Sequence, residues 1–193
     1  MDIAVVGTGF IGGILGRALA GAGHAVVFGS RHPEEDEVAG QSGAEVRPVG
    51  DALARAEVAI LALPGRAVAE LVADHGAALN GKLVVDATNT MGGDVANCRA
   101  ALPATVRYAR AFNTLGGENM ADPVFDDGPA DMFFSAPEAD AGTVAEIVSG
   151  VGLRPVYVGA DQEALLDALF RLWIALAVGQ GRGRRLALRL LEG

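Results

Sequence analysis

The chain has 193 residues, 51% of them hydrophobic, and a formal net charge of −9; this excludes intrinsic disorder and leaves room for one substantial core. No apolar run reaches the roughly 20 residues of a membrane span, and the acidic balance argues against general nucleic-acid binding. A single cysteine, Cys98, excludes an internal disulfide framework, and the opening residues lack a signal-peptide pattern, so a cytoplasmic protein is expected.

In chain order, a strand is predicted at Ile3–Val6, followed by a glycine turn and a helix from Ile11 to Ala22. A second strand, Ala25–Phe28, follows the turn at Gly23. Pro33 is expected to start another helix, with the acidic run Glu34–Glu37 as its solvated first turn. Further strands are predicted at Val46–Val49, Val58–Leu63, Leu83–Asp86, Val106–Ala111, Asp131–Ser135 and Arg154–Val158. Helices are predicted between them at Gly65–His75 and Glu138–Ser149. Apolar runs alternating with amphipathic helices predict an α/β fold with a doubly wound, mostly parallel sheet of Rossmann type.

After Gly159 the pattern changes. Leu165, Leu169, Leu172 and Leu176 recur at helical spacing, with Leu166, Phe170, Trp173 and Ala177 beside them. That face is too wide for a simple surface helix; it either caps the sheet or forms a subunit interface. A Gly179–Gly183 linker leads into a second short helix, Arg184–Leu191. The expected organisation is a nucleotide-binding domain over residues 1–159 with a helical appendage over 160–193, in one compact unit.

Gly7-Thr8-Gly9-Phe10-Ile11-Gly12 fits the pattern GxGxxG, directly after a strand and opening a helix. In that context the first glycine permits the turn, the second admits a pyrophosphate, and the third lets helix pack on strand. The second strand ends Phe28-Gly29-Ser30-Arg31-His32, where an NAD site would place a carboxylate. The first carboxylate is Glu34, beyond Pro33 and expected to have turned away. Ser30 and Arg31, with His32 as a weaker candidate, offer donors to a 2′-phosphate instead. NADP(H) is therefore expected over NAD(H).

Acid–base constellations are scarce. Of 15 basic residues 14 are arginine, and the one lysine, Lys82, precedes a strand as a turn residue. Tyr108 and Tyr157 have no lysine near them, the three histidines are isolated, and no metal-ligand spacing appears. This favours hydride transfer by positioning between two cofactors, with no catalytic side chain. Candidate contacts lie where parallel strands end: Leu63 and Pro64, Thr88 and Asn89, and Asn113, Thr114 and Leu115. Thr88, Asn89, Asn113 and Thr114 are each equally readable as ordinary turn residues, and Pro64 as a helix start.

Together these motifs resemble a known family, the NADP-dependent reductases of coenzyme F420, a deazaflavin. The resemblance rests on the glycine turn at 7–12, Gly29-Ser30-Arg31, Leu63-Pro64, Ala111-Phe112-Asn113-Thr114 and Leu153-Arg154-Pro155, and covers nearly the whole chain. It implies a Rossmann domain with a small C-terminal part, commonly as a homodimer. Ser30 and Arg31 would hold the 2′-phosphate, and Asn113 and Thr114 would lie beside the nicotinamide and the deazaflavin. One departure is that archaeal members end this strand with a His-Thr-Ile-Pro-like sequence, where this chain has Asn113-Thr114-Leu115-Gly116. Asn-Thr versions occur in membrane metalloreductases that pair NADPH with a flavin, which leaves F420, FMN or FAD as the second carrier.

Two further readings concern charge. Arg182, Arg184, Arg185 and Arg189 crowd the C-terminal stretch, and Arg184 and Arg185 are candidates for the anionic tail of F420. Eight carboxylates and no basic residue lie between Glu118 and Glu146, a solvated face or a docking band. The latter would suit an alternative role as a non-catalytic NADPH-binding sensor or regulatory subunit acting through a protein partner.

Overall fold

In the computed structural model, which describes residues 1–36, 43–89, 98–191 and 193, the chain divides into two units, Met1–Ala109 and Arg110–Gly193. The first is built on six strands: β1 (Asp2–Val6), β2 (Ala25–Ser30), β3 (Glu45–Pro48), β4 (Val58–Leu61), β5 (Leu83–Asp86) and β6 (Arg107–Arg110). Their spatial order is β3-β2-β1-β4-β5-β6. The neighbours from β3 to β5 all pair in parallel. β4 and β5 bury every residue, as central strands covered on both faces must, and their Val/Ile/Leu content fits that burial. β3 is an edge strand, half exposed and closed by Pro48, where a missing N–H costs no ladder bond.

The crossovers are α1 (Phe10–Gly21), α2 (Val49–Arg55), α3 (Val68–Leu79) and the single turn α4 (Cys98–Ala101). Leu53, Leu71, Leu79 and Leu102 pack with Leu61 and Val84 in one core on this side of the sheet. Gly16 in α1 lies where an added Cβ would sit 2.2 Å from the Phe28 ring, so helix and strand approach closely. The predicted helix after Pro33 is only a 3-10 turn, Pro33–Glu35. Glu37, the last residue of that acidic run, lies outside the described residues.

The second unit contains α5 (Gly117–Ala121), a small antiparallel hairpin of β7 (Val124–Phe125) and β8 (Gly128–Pro129), β9 (Asp131–Phe134), α6 (Ala141–Gly150), β10 (Arg154–Tyr157) and α7 (Glu163–Ile174). β9 and β10 pair in parallel across α6, with Asp131 opposite Arg154. Arg154 donates to both carboxylate oxygens of Asp131, at 2.5 and 2.7 Å, so the register carries its own ion pair. α7 runs on into a π turn, Ala175–Gly179. Its Leu166, Phe170 and Trp173 are buried, whereas Leu165 and Leu172 are exposed.

The structure differs from the sequence expectation in two further places. The division falls between Ala109 and Arg110 rather than after Gly159, because β9, α6 and β10 form their own parallel pair instead of extending the six-stranded sheet. Residues 184–191 form no helix. The carbonyls a helix would use are taken by side chains: Asn119 Nδ2 donates to Arg184 O (2.9 Å) and Leu186 O (3.0 Å), and Trp173 Nε1 donates to Leu186 O (2.7 Å). The segment is an extended strap whose Leu186 packs on Phe170 and Trp173. Among the described residues no helix is long and apolar enough to cross a membrane.

Candidate functional site

The turn from β1 into α1 is fixed by close backbone approaches. Gly7 has φ +109°, and a Cβ there would sit 2.4 Å from the Ala62 carbonyl oxygen; only glycine meets both conditions without strain. A Cβ on Gly12 would sit 1.9 Å from the Gly7 carbonyl oxygen, so the helix packs directly on the turn. Gly9 is different: a Cβ there meets nothing within 4 Å. Its lack of a side chain serves no packing in the protein and leaves room for a ligand against the backbone. Gly9 is also the N-cap of α1 and makes no side-chain cap bond. The first-turn amides of the helix therefore face an open volume with the positive end of its dipole behind them.

That volume is a cavity of about 490 Å³. It lies beyond the carboxyl ends of β1, β2 and β4, where the strand order reverses, the usual ligand position in such sheets. Of the residues singled out from sequence, Gly7, Thr8, Gly9, Ser30, Arg31, His32, Leu63 and Pro64 line it. Phe10, Ile11 and Gly12 belong to the first turn of α1, behind the glycine cradle. Thr88 and Asn89 do not line it. Thr88 is buried, its N–H donates to Asp86 Oδ1 at 2.8 Å, and its hydroxyl lies 3.2 Å from Cys98 Sγ. Tyr108 donates to the other Asp86 oxygen at 2.7 Å, so the end of β5 carries a buried polar network.

The cavity also holds residues that sequence reasoning did not place there. Glu35 and Asp36 line it, as do Glu70, Asp74 and His75 from α3. Glu34, expected to have turned away, does not line the cavity, but its neighbours Glu35 and Asp36, expected in a solvated helical turn, do. Because Pro33–Glu35 is a single 3-10 turn rather than a helix, the chain curls back, and the Ser30 hydroxyl donates to Asp36 Oδ2. Ser30 Oγ in turn accepts the His32 N–H at 3.1 Å.

Asn113, Thr114 and Leu115 lie in the second unit and are buried. Phe112 just before them has φ +63°, a backbone rare for a bulky residue and one that redirects the chain at the end of β6. Its N–H donates to Met132 Sδ at 3.2 Å, and the Thr114 hydroxyl reaches the same sulfur at 3.5 Å. Asn113 Nδ2 donates to Asp167 Oδ1 at 3.4 Å. Arg184 and Arg185 have intramolecular anions: Arg184 forks onto Glu118 (2.6 and 3.1 Å), and Arg185 pairs with Asp122 at 3.0 Å. Part of the acidic band is thus matched by the chain's own arginines. The Arg184 guanidinium holds the Glu118 carboxyl below the usual carboxylate range, and Glu118 raises Arg184 in return.

Comparison with known proteins agrees with this geometry. A solved structure provisionally named an F420-dependent NADP-reductase, from Arthrobacter sp. FB24, is 25% identical with a TM-score of 0.84, and each chain is covered in full. A hypothetical protein from Sinorhizobium meliloti is 27% identical with a TM-score of 0.75, covering 100% of this chain and 96% of that one. The 3-hydroxyisobutyrate dehydrogenase of Mycobacterium tuberculosis is 25% identical with a TM-score of 0.73, covering 92% of this chain and 60% of its own. Residues 2–90, which carry the glycine cradle, Ser30, Arg31 and the whole of the cavity, match the family model described as NADP oxidoreductase, coenzyme F420-dependent.

Proposed function

We propose that this chain is an NADP(H)-dependent oxidoreductase that passes a hydride between the nicotinamide and a deazaflavin of the F420 type, or a flavin. The observation that carries the reading is the glycine cradle opening onto a cavity whose far wall is Ser30-Arg31 at the end of β2. The residues fit the dinucleotide. The first-turn amides of α1 would receive the pyrophosphate, and Ser30 and Arg31 the 2′-phosphate. Leu63 and Pro64 offer an apolar wall after β4. The nicotinamide, when bound, supplies the hydride donor or acceptor. The work of the chain is to bind and orient it and to exclude water, which is where the rate of such a transfer comes from.

Asn113, Thr114 and Leu115 are proposed as contacts on the substrate side. The Phe112 backbone redirects the chain into this segment, and Asn113 is hydrogen-bonded to Asp167. Rapid mixing of the protein with NADPH and oxidised F420, FMN or FAD in turn tests the reading by absorbance. Oxidation of NADPH matched by reduction of one acceptor is the expected result. No absorbance change with any of the three would overturn it.

A further inference from the structure

The cavity wall that would meet the adenosine ribose carries a conflict. Ser30 has one hydroxyl proton, and that proton is donated to Asp36 Oδ2. A 2′-phosphate needs the same proton, and it would come up against a carboxylate of its own sign. We propose that Asp36 is a specificity-determining residue of the nucleotide site: its carboxylate competes with the 2′-phosphate for the Ser30 hydroxyl, and so holds down the preference for the 2′-phosphorylated dinucleotide. The inference rests on the NADP(H) reading of this cavity and deepens it.

Three features favour a discriminating role over a loop anchor. Asp36 is itself part of the cavity lining, beside Ser30, Arg31 and His32. The other carboxylates of the wall, Glu35, Glu70 and Asp74, are set against one arginine, Arg31. Arg31 alone therefore does not make this wall strongly cationic, and removing one adjacent negative charge should be felt by a phosphate dianion. A bare ribose hydroxyl carries no charge and can donate to Asp36, so a 2′-hydroxyl cofactor meets no such conflict. The chain contains both a phosphate recognition pair and its competitor within six residues of Ser30.

The test uses the full-length protein and titrations of NADPH, NADH, 2′,5′-ADP and 5′-AMP by calorimetry, with no second substrate present. Asp36→Asn and Asp36→Ala are expected to tighten NADPH and 2′,5′-ADP by about tenfold, roughly 1.4 kcal/mol. NADH and 5′-AMP should stay within about twofold or weaken, since no phosphate at the 2′ position reports the change. Ser30→Ala should cost NADPH about fivefold more in the Asp36→Ala background than alone, because only there is the hydroxyl proton released. Unchanged or weaker NADPH binding in both Asp36 variants would overturn the proposal, as would equal tightening of NADH. Wild-type protein that binds neither NADPH nor 2′,5′-ADP would instead sink the NADP(H) reading and the proposal with it.

Discussion

Arg110 donates to a single oxygen of Asp167 through both Nε (3.2 Å) and Nη2 (2.7 Å), and Arg110 is only 2% exposed. The pair joins Arg110 to α7 within the second unit. A guanidinium so deeply buried is tolerated only with its charge matched. Asp167→Ala should destabilise the protein by about 2 kcal/mol, through loss of the charge-assisted bonds to Arg110. Denaturant unfolding would measure it, and a loss below about 1 kcal/mol would show that solvent reaches Arg110 readily.

The second and third glycines of the cradle should respond in opposite ways. Gly12→Ala drives a Cβ into the Gly7 carbonyl and should cost about 3 kcal/mol or prevent folding, because backbone cannot yield as a side-chain tip can. Gly9→Ala meets open space and should cost under about 1 kcal/mol in stability. The same substitution should weaken NADPH by at least about tenfold, by filling the place of the pyrophosphate. Thermal melts and nucleotide titration separate the two effects.

Arg31 lines the cavity from an exposed position after β2. Arg31→Ala should weaken NADP(H) by about tenfold and leave NAD(H) nearly unchanged, through loss of charge-assisted contacts to the 2′-phosphate. Equal weakening of both cofactors, read by fluorescence titration, would make Arg31 a structural residue.

The strap at 184–191 should loosen in acid. Hydrogen bonds from Arg184 depress the Glu118 carboxyl in the folded protein. A depressed acid adds stability above its unfolded pKa, about 4.3, and loses it as pH falls through the lower folded value. Glu118 is 43% exposed, so the contribution is under about 1 kcal/mol. Trp173 is the one tryptophan and bonds the strap directly, so its emission should shift below about pH 4. In Glu118→Gln the acid step should vanish.

Much of the first unit was legible in the sequence because its signals are local. The strand–glycine–helix order at residues 2–21 and the buried runs at 58–61 and 83–86 need no tertiary information. α2 was missed because it follows Pro48, carries Gly50 in its first turn and is only seven residues long, too short for a clear helical period. Asp36 was placed outside the cavity because a proline followed by acids reads as a helix start, whereas a single 3-10 turn sends the chain back. The left-handed backbone at Phe112 has no sequence signal, since phenylalanine is a poor choice for it. The C-terminal strap was misread for a related reason. Its leucines and arginines have good helix propensity, but Asn119 and Trp173, far away in sequence, take the carbonyls.

The strap also sets an order of events during synthesis. The first unit is complete at residue 109 and holds the whole of the cavity, so it can close while later residues are still being added. The second unit cannot. Its buried Asp131 accepts the Leu190 N–H at 2.6 Å, Arg154 donates to the Leu190 carbonyl at 2.6 Å, and Trp173 awaits Leu186. Until about position 190 has left the ribosome, that unit keeps an uncovered tryptophan and an incompletely bonded carboxylate, which is the interval in which a nascent chain is most exposed to chaperones and to mispairing.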